Sequence, residues 1–176
     1  MLQVELGVGD NPRIDPRATH YVGLDASEAA LRRCQLPLQI EARLLRCTLG
    51  FEPIPLPDRC ADLVLGDQFL EHVPRIGYRL QGGALVAFNP LIEVLNETCR
   101  IARPGALVQF HVPRWNSEEQ HQDPTHMSAI PPAFWKYWDP RDPWQLKHSY
   151  GIRGSLELLG MEERGWYHVF RLRAVG

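Results

Sequence analysis

Short apolar runs alternate with polar, proline-containing segments along most of the chain. The runs that predict strands cover residues 2–6, 20–24, 43–49, 61–66 and 106–112. A helix is predicted after Ser27, and a second from Pro90 to Ala102, where apolar residues recur at helical spacing. This alternation is typical of an α/β fold, a Rossmann-like mostly parallel sheet with helices on both faces.

The end of the chain follows a different pattern. Residues 156–175 predict two strands around Arg164-Gly165, with no helix between them, and therefore a C-terminal antiparallel hairpin. The segment 78–88 contains Gly82-Gly83 and is interpreted as an insertion or a loose loop. Because no repeat or linker divides the sequence, residues 1–176 are interpreted as one domain.

Composition narrows the classes of function. Hydrophobic residues make up 44% of the chain, charged residues 23%, and the formal net charge is −2. This balance is that of a globular protein, and a nucleic-acid partner is not expected because no basic stripe is present. No apolar stretch approaches the roughly 20 residues of a membrane span. The four cysteines form no CxxC pair, which predicts buried thiols in a reducing, cytoplasmic compartment.

Three predicted strands end in residues suited to ligand binding. Gly7 and Gly9 follow the first strand, Asp25 ends the second, and residues 66–73 follow the fourth. In doubly wound sheets ligands bind at the carboxyl ends of strands, where glycine lets a ligand approach the backbone and a carboxylate binds ribose hydroxyls. Two other interpretations stay open, a surface turn for the glycines and a helix cap for Asp25.

These segments resemble class I S-adenosylmethionine-dependent methyltransferases. Val4-Glu5-Leu6-Gly7-Val8-Gly9 resembles the first motif of that family and Tyr21-Val22-Gly23-Leu24-Asp25 the second. The stretch from Pro55 to Val73 resembles the region around the fourth strand, and Arg100 to Leu107 the turn into the fifth. The order and spacing of these segments carry the resemblance.

The resemblance implies methyl transfer from S-adenosylmethionine to a small-molecule acceptor by in-line displacement. It assigns the methionine and ribose side of the cofactor to the first motif, the ribose hydroxyls to Asp25, the adenine to Phe51, and the sulfonium end to residues 66–68. The implied cofactor contacts are Glu5, Gly7, Gly9, Asp25, Ala26, Phe51, Gly66, Asp67 and Gln68.

The chain departs from the family pattern in its first motif. Asp10-Asn11-Pro12 replaces the third glycine, Gly50 stands where an adenine-contacting acid is expected, and the usual N-terminal helix is lacking. The chain resembles a subset with a Gly-Asp-x-Pro loop and a shortened first helix. The alternative is a methyltransferase-like binding or accessory protein with weak or no activity. A nicotinamide-dependent oxidoreductase is disfavoured because the first turn lacks G-x-G-x-x-G.

On the acceptor side, His72 and His126 are the candidate catalytic residues. The alternatives are a His72 that braces its helix and a His126 that orders its loop through Asp123. The irregular spacing of His111, His121, Asp123 and His126 does not predict a metal site. Glu71-His72 resembles a metal-binding acidic motif of some quinone-directed methyltransferases. Because its spacing from Asp67 differs from that motif, no metal site is predicted from it.

The region 113–150 holds most of the large aromatic residues. One interpretation is an apolar acceptor pocket or lid. The alternatives are a second small core beneath a long loop, and a contact between the two copies of a homodimer.

Overall fold

Seven strands form one sheet in the order β3-β2-β1-β4-β7-β9-β8 in a computed structural model that describes all 176 residues. The strands are β1 Leu2–Leu6, β2 His20–Asp25, β3 Glu41–Arg46, β4 Ala61–Asp67, β7 Ala102–Pro113, β8 Ser155–Arg164 and β9 Tyr167–Val175. The first five of these run parallel, whereas β9 is antiparallel to both β7 and β8. The predicted mostly parallel sheet with a C-terminal antiparallel hairpin is therefore confirmed.

Three α-helices connect the strands, α1 Glu28–Arg33, α2 Pro90–Ile101 and α3 Glu118–Gln122. The predicted cap of α1 is confirmed, since Ser27 Oγ accepts a hydrogen bond of 3.2 Å from the Ala30 amide. Asn89 caps α2 in the same way through the Ile92 amide. Three 3-10 turns lie at Leu70–His72, Pro132–Tyr137 and His148–Tyr150. No helix has both the length and the apolar character to cross a membrane.

The two faces of the sheet are covered differently. On one face, Val4, Leu6 and Val64 are fully buried in the core that α2 completes with Leu91 and Leu95. Side chains alternate between the faces of a strand, so Gln3 and Glu5 lie on the opposite face.

On that second face, a loop covers the polar side chains of β1. The Arg13 amide donates to Glu5, the Asp15 amide donates to Gln3, and the Gln3 side-chain amide donates to the Arg13 carbonyl. Loop 7–19 thus connects β1 to β2 without a helix, and α1 packs against β2 and β3. Hydrogen bonds with the Gln3 and Glu5 side chains of β1 therefore hold this loop against the sheet.

The segment interpreted as an insertion or a loose loop is a hairpin, so the interpretation as a loose loop was wrong. β5 Gly77–Gln81 and β6 Ala84–Phe88 pair in an antiparallel two-stranded sheet. Gly82 and Gly83 both have positive φ, 59° and 82°, which a two-residue turn of the type that joins twisted strands requires. The Gly-Gly pair between apolar runs was the available signal. The third strand is also shifted, because it ends at Arg46 and not at Leu49.

The aromatic region 113–150 contributes mainly to the core. Trp135 and Trp138 are fully buried, and the Trp135 ring stacks on Phe110 of β7 with centroids 5.7 Å apart. Trp144 and Tyr150 pack against Tyr137 and remain about half exposed. The two fully buried tryptophans of this region therefore hold it against the sheet.

Candidate cofactor and acceptor site

Strands β1, β2 and β4 end at the same edge of the sheet, beside a cavity of about 610 Å³. The predicted site residues that line it are Gly7, Asp25, Ala26, Phe51, Gln68 and His72. They come from four separate segments, and only the parallel pairing of the strands brings them together. The volume lies in the range of small-molecule and cofactor pockets.

Asp25 is held in place by two backbone donors. Its Oδ2 accepts 2.9 Å from the Gly9 amide, and its Oδ1 accepts 2.7 Å from the Ser27 amide. Each carboxylate oxygen retains further acceptor capacity, which suits paired hydroxyl groups. Asp25 therefore has the fixed orientation that ribose recognition needs, while it also joins β2 to the start of α1.

Gly7 lies where the backbone and Phe69 leave no room for a side chain. Its φ is +69°, and an added Cβ would lie 2.3 Å from Phe69 Cδ2. Gly9 has a similar φ of +59°, but nothing would lie within 4 Å of its added Cβ. The two glycines of the motif thus differ in packing and agree in backbone conformation.

This difference gives a matched pair of substitutions. Gly9→Ala is expected to cost about 1 kcal/mol of folding free energy, from its left-handed backbone alone. Gly7→Ala carries the same cost plus overpacking against Phe69, about 1–3 kcal/mol more. Urea unfolding followed by circular dichroism measures the free energy of unfolding of both variants. Equal losses of that free energy would show that the Phe69 side chain moves to accommodate the new methyl group.

Glu5 and Asp67 do not line the cavity. Glu5 Oε2 accepts 2.6 Å from the Tyr21 hydroxyl and 2.9 Å from the Arg13 amide, and burial raises the pKa of Glu5 to about 7. Asp67 pairs with Arg13 and accepts 2.5 Å from His111 Nδ1. Both carboxylates hold loop 7–19 to the sheet, so their contribution to the site is to position the first motif.

Gly66 also lies outside the cavity, beneath a core side chain. A Cβ there would lie 2.7 Å from Phe110 Cδ1, so glycine is required by packing against β7. Gly9 reaches the site only through its amide, which donates to Asp25. The structure gives these two glycines a supporting place behind the residues that face the cavity.

A second cavity of about 420 Å³ adjoins the first, and Gln68 and His72 line both. Glu71, Asp123 and His126 complete its polar wall. The two candidate catalytic histidines are therefore brought together, with ring centroids 4.8 Å apart and an interplanar angle of 72°.

Hydrogen bonds set the proton positions on both histidines. Thr125 Oγ1 donates 2.6 Å to Asp123 Oδ1, so its oxygen can accept the 3.0 Å contact from His72 Nδ1. His126 Nδ1 lies 3.1 Å from the Gln120 carbonyl, which can only accept. Each ring is thus protonated at Nδ1 when neutral, and burial together with His126 lowers the pKa of His72.

Glu71 was not among the predicted site residues. Its side chain is fully buried, neither carboxylate oxygen has a hydrogen-bond partner, and burial raises its pKa to about 8. Its carbonyl accepts from the Met127 and Ser128 amides at 2.7 and 2.9 Å. That pairing fixes residues 123–128 over the 3-10 turn, a long-range contact that sequence spacing does not reveal.

No family model and no curated protein matches this chain. Solved structures do match. A chain in the complex between the Haloferax volcanii Trm112 methyltransferase activator and a protein described as a methyltransferase shares 13% identity at a TM-score of 0.62, covering 99% of this chain and 82% of that one.

Two S-adenosylmethionine-dependent methyltransferases give a similar result. The enzyme from Aquifex aeolicus shares 14% identity at a TM-score of 0.58, covering 99% of this chain and 82% of that one. The enzyme from Archaeoglobus fulgidus shares 14% identity at a TM-score of 0.57, with coverage of 98% and 85%. These likenesses show that the chain has the fold of the class I S-adenosylmethionine-dependent methyltransferases.

Proposed function

We propose that this protein binds S-adenosylmethionine in the larger cavity and methylates a small-molecule acceptor bound in the smaller one. The observation that carries the proposal is the junction of the two cavities at Gln68 and His72. A methyltransferase must hold its two substrates in separate pockets that meet at the transferred group.

The residues of the larger cavity fit the cofactor. Asp25 offers two fixed acceptor oxygens for the ribose hydroxyls, half-exposed Phe51 offers a ring face for the adenine, and Gly7 leaves its backbone open to the ligand. When bound, S-adenosylmethionine supplies a methyl group on a sulfonium sulfur, which departs with the electron pair of the broken bond.

The smaller cavity would orient the acceptor. The attacking atom donates a lone pair to the methyl carbon and must approach in line with the bond that breaks, so positioning is the main task of the protein. We assign this positioning to His72 and His126, which contribute to the same wall. Gln68 lies at the junction and can hydrogen-bond either substrate.

Calorimetric titration of the 176-residue chain tests cofactor binding. We expect one site for S-adenosylmethionine and for its demethylated product S-adenosylhomocysteine, and no binding of NADH at the same concentrations. At about 1 mM ligand a site of millimolar affinity is half occupied. No binding of S-adenosylmethionine at that concentration, by calorimetry or by equilibrium dialysis, would overturn the proposal.

A second candidate is an accessory protein on the same fold. Loop 7–19, where the chain connects β1 to β2 without a helix, favours it, and one structural neighbour is seen in complex with the Trm112 activator. Cofactor binding without methyl transfer to any acceptor in a small-molecule panel would support this alternative.

Half-exposed Trp144 and Tyr150 form the surface through which we would expect a homodimer, which light scattering would detect.

A further inference from the structure

Glu71, His72 and His126 form a cluster that no other part of the molecule matches. One ligand atom from each side chain lies within 4.8 Å of those of the other two, and this is the only group of three such residues in the chain. Glu71 and His72 come from the 3-10 turn after β4, whereas His126 comes from the loop after α3. Two long-range backbone hydrogen bonds to the Glu71 carbonyl hold these segments together.

The Glu71 carboxylate is an independent sign that a ligand belongs here. It is fully buried, yet neither oxygen has a hydrogen-bond partner among the protein groups. Buried carboxyl groups are costly unless they are paired or bind a metal ion, and unpaired ones are rare in native proteins. No lysine or arginine lines the cavity into which this carboxyl faces.

Hydrogen bonds orient both histidines so that Nε2 of each ring can donate a lone pair to a metal ion. His72 Nδ1 is engaged by Thr125 and His126 Nδ1 by the Gln120 carbonyl, at 3.0 and 3.1 Å. These contacts leave Nε2 of each ring without its proton. Metal-binding histidines in proteins are held in this way, with the second ring nitrogen donating to a carbonyl or a carboxylate-linked group.

The remaining charge around the cluster favours a cation. Asp123 Oδ2 lies 3.7 Å from His126 Nε2, and Glu119 lines the same cavity. Two imidazoles and one carboxylate are the donor set of many catalytic zinc sites, which leave one position open, whereas magnesium prefers oxygen ligands alone.

We propose that Glu71, His72 and His126 bind a single divalent transition-metal ion, with Zn²⁺ the best match to this donor set. Tetrahedral coordination would place the donor atoms about 3.3 Å apart, so the cluster must contract slightly on binding. Three protein ligands leave a coordination position toward the acceptor cavity. The use of that position by an acceptor hydroxyl or thiol rests on the proposed function, whereas ion binding does not.

Zinc binding can be measured on the 176-residue chain after removal of metal with EDTA. We expect ZnCl₂ to bind with a stoichiometry of one, and MgCl₂ at least 100-fold more weakly. His126→Ala and Glu71→Gln should each weaken zinc binding at least 100-fold. Thr125→Val removes no ligand, but it removes the hydroxyl that supports His72 and donates to Asp123, and it should weaken zinc binding about tenfold.

His121→Ala is the matched control, because His121 is exposed on α3 and lies outside the cluster. Its affinity for zinc should lie within threefold of the affinity of the unaltered chain. Equal affinity of the unaltered chain and His126→Ala, or an equal loss in His121→Ala, would overturn the proposal. Thr125 and His126 lie in a surface loop, so these variants remain informative if Glu71→Gln fails to fold.

A parallel titration with S-adenosylmethionine separates this proposal from the proposed function. Cofactor binding without zinc binding would overturn the metal site alone. Zinc binding without cofactor binding would support the metal site and overturn the assignment of the larger cavity.

Discussion

Asp25→Ala is expected to reduce the affinity for S-adenosylmethionine by at least 100-fold. A hydrogen bond to a charged group contributes about 1.5–3 kcal/mol, and in the proposed site Asp25 accepts from two ribose hydroxyls. The substitution also leaves the Gly9 and Ser27 amides without their acceptor, which loosens the turns that border the cavity. Calorimetric titration of the variant measures the loss directly.

Two further variants make that result specific. Asp25→Asn keeps one acceptor oxygen and should lose less affinity than the alanine variant. Glu41→Gln removes an exposed carboxylate at the opposite end of neighbouring strand β3 and should bind as the unaltered chain does. If Asp25→Ala binds the cofactor within threefold of the unaltered chain, Asp25 does not recognise the ribose.

The parts of the site that could be predicted are those with a local signal. Ser27, Gly7 and Asp25 each follow or precede an apolar run, and the position of a strand end is enough to place them near the cavity. Glu5 shows the limit of this reasoning. It was assigned to the cofactor by resemblance, although alternation already puts it on the face opposite Val4 and Leu6.

The acceptor side could not be predicted in the same way. His72 and His126 were identified as single residues, but their proximity depends on the Glu71 carbonyl, which pairs with amides more than 50 residues further along the chain. Hydrophobic periodicity carries no information about such a contact, because one segment is a single 3-10 turn and the other is a loop. The unpartnered carboxyl of Glu71 likewise emerges only when burial is known.

Loop 7–19 depends on both local sequence and long-range contacts. A chain that crosses between parallel strands without a helix must satisfy its backbone by other means, and here the side chains of Gln3 and Glu5 do so. Asp67 adds an ion pair with the Arg13 side chain. Polar residues within otherwise apolar strands therefore mark the path of this loop. The first motif is therefore an anchored segment that places Gly7 at the cavity and the Gly9 amide against Asp25.

The largest effect on stability is expected for Trp135→Ala. Trp135 is fully buried, stacks on Phe110 of β7, and contacts Phe170 of β9 with ring centroids 5.4 Å apart. Removal of a buried tryptophan of this kind costs about 3–5 kcal/mol, a large share of the roughly 5–15 kcal/mol that stabilises a domain. Urea unfolding, with the free energy extrapolated to water, gives the value.

Trp144→Ala and Trp135→Phe are the controls for this substitution. Trp144 is about half exposed, so its loss should cost less than about 1 kcal/mol. The indole nitrogen of Trp135 has no hydrogen-bond partner, so phenylalanine removes no hydrogen bond and should cost less than alanine. A Trp135→Ala loss below 1 kcal/mol would mean that residues 113–150 behave as a lid that opens in solution. A loss near the expected value would mean that this segment is part of the permanent core.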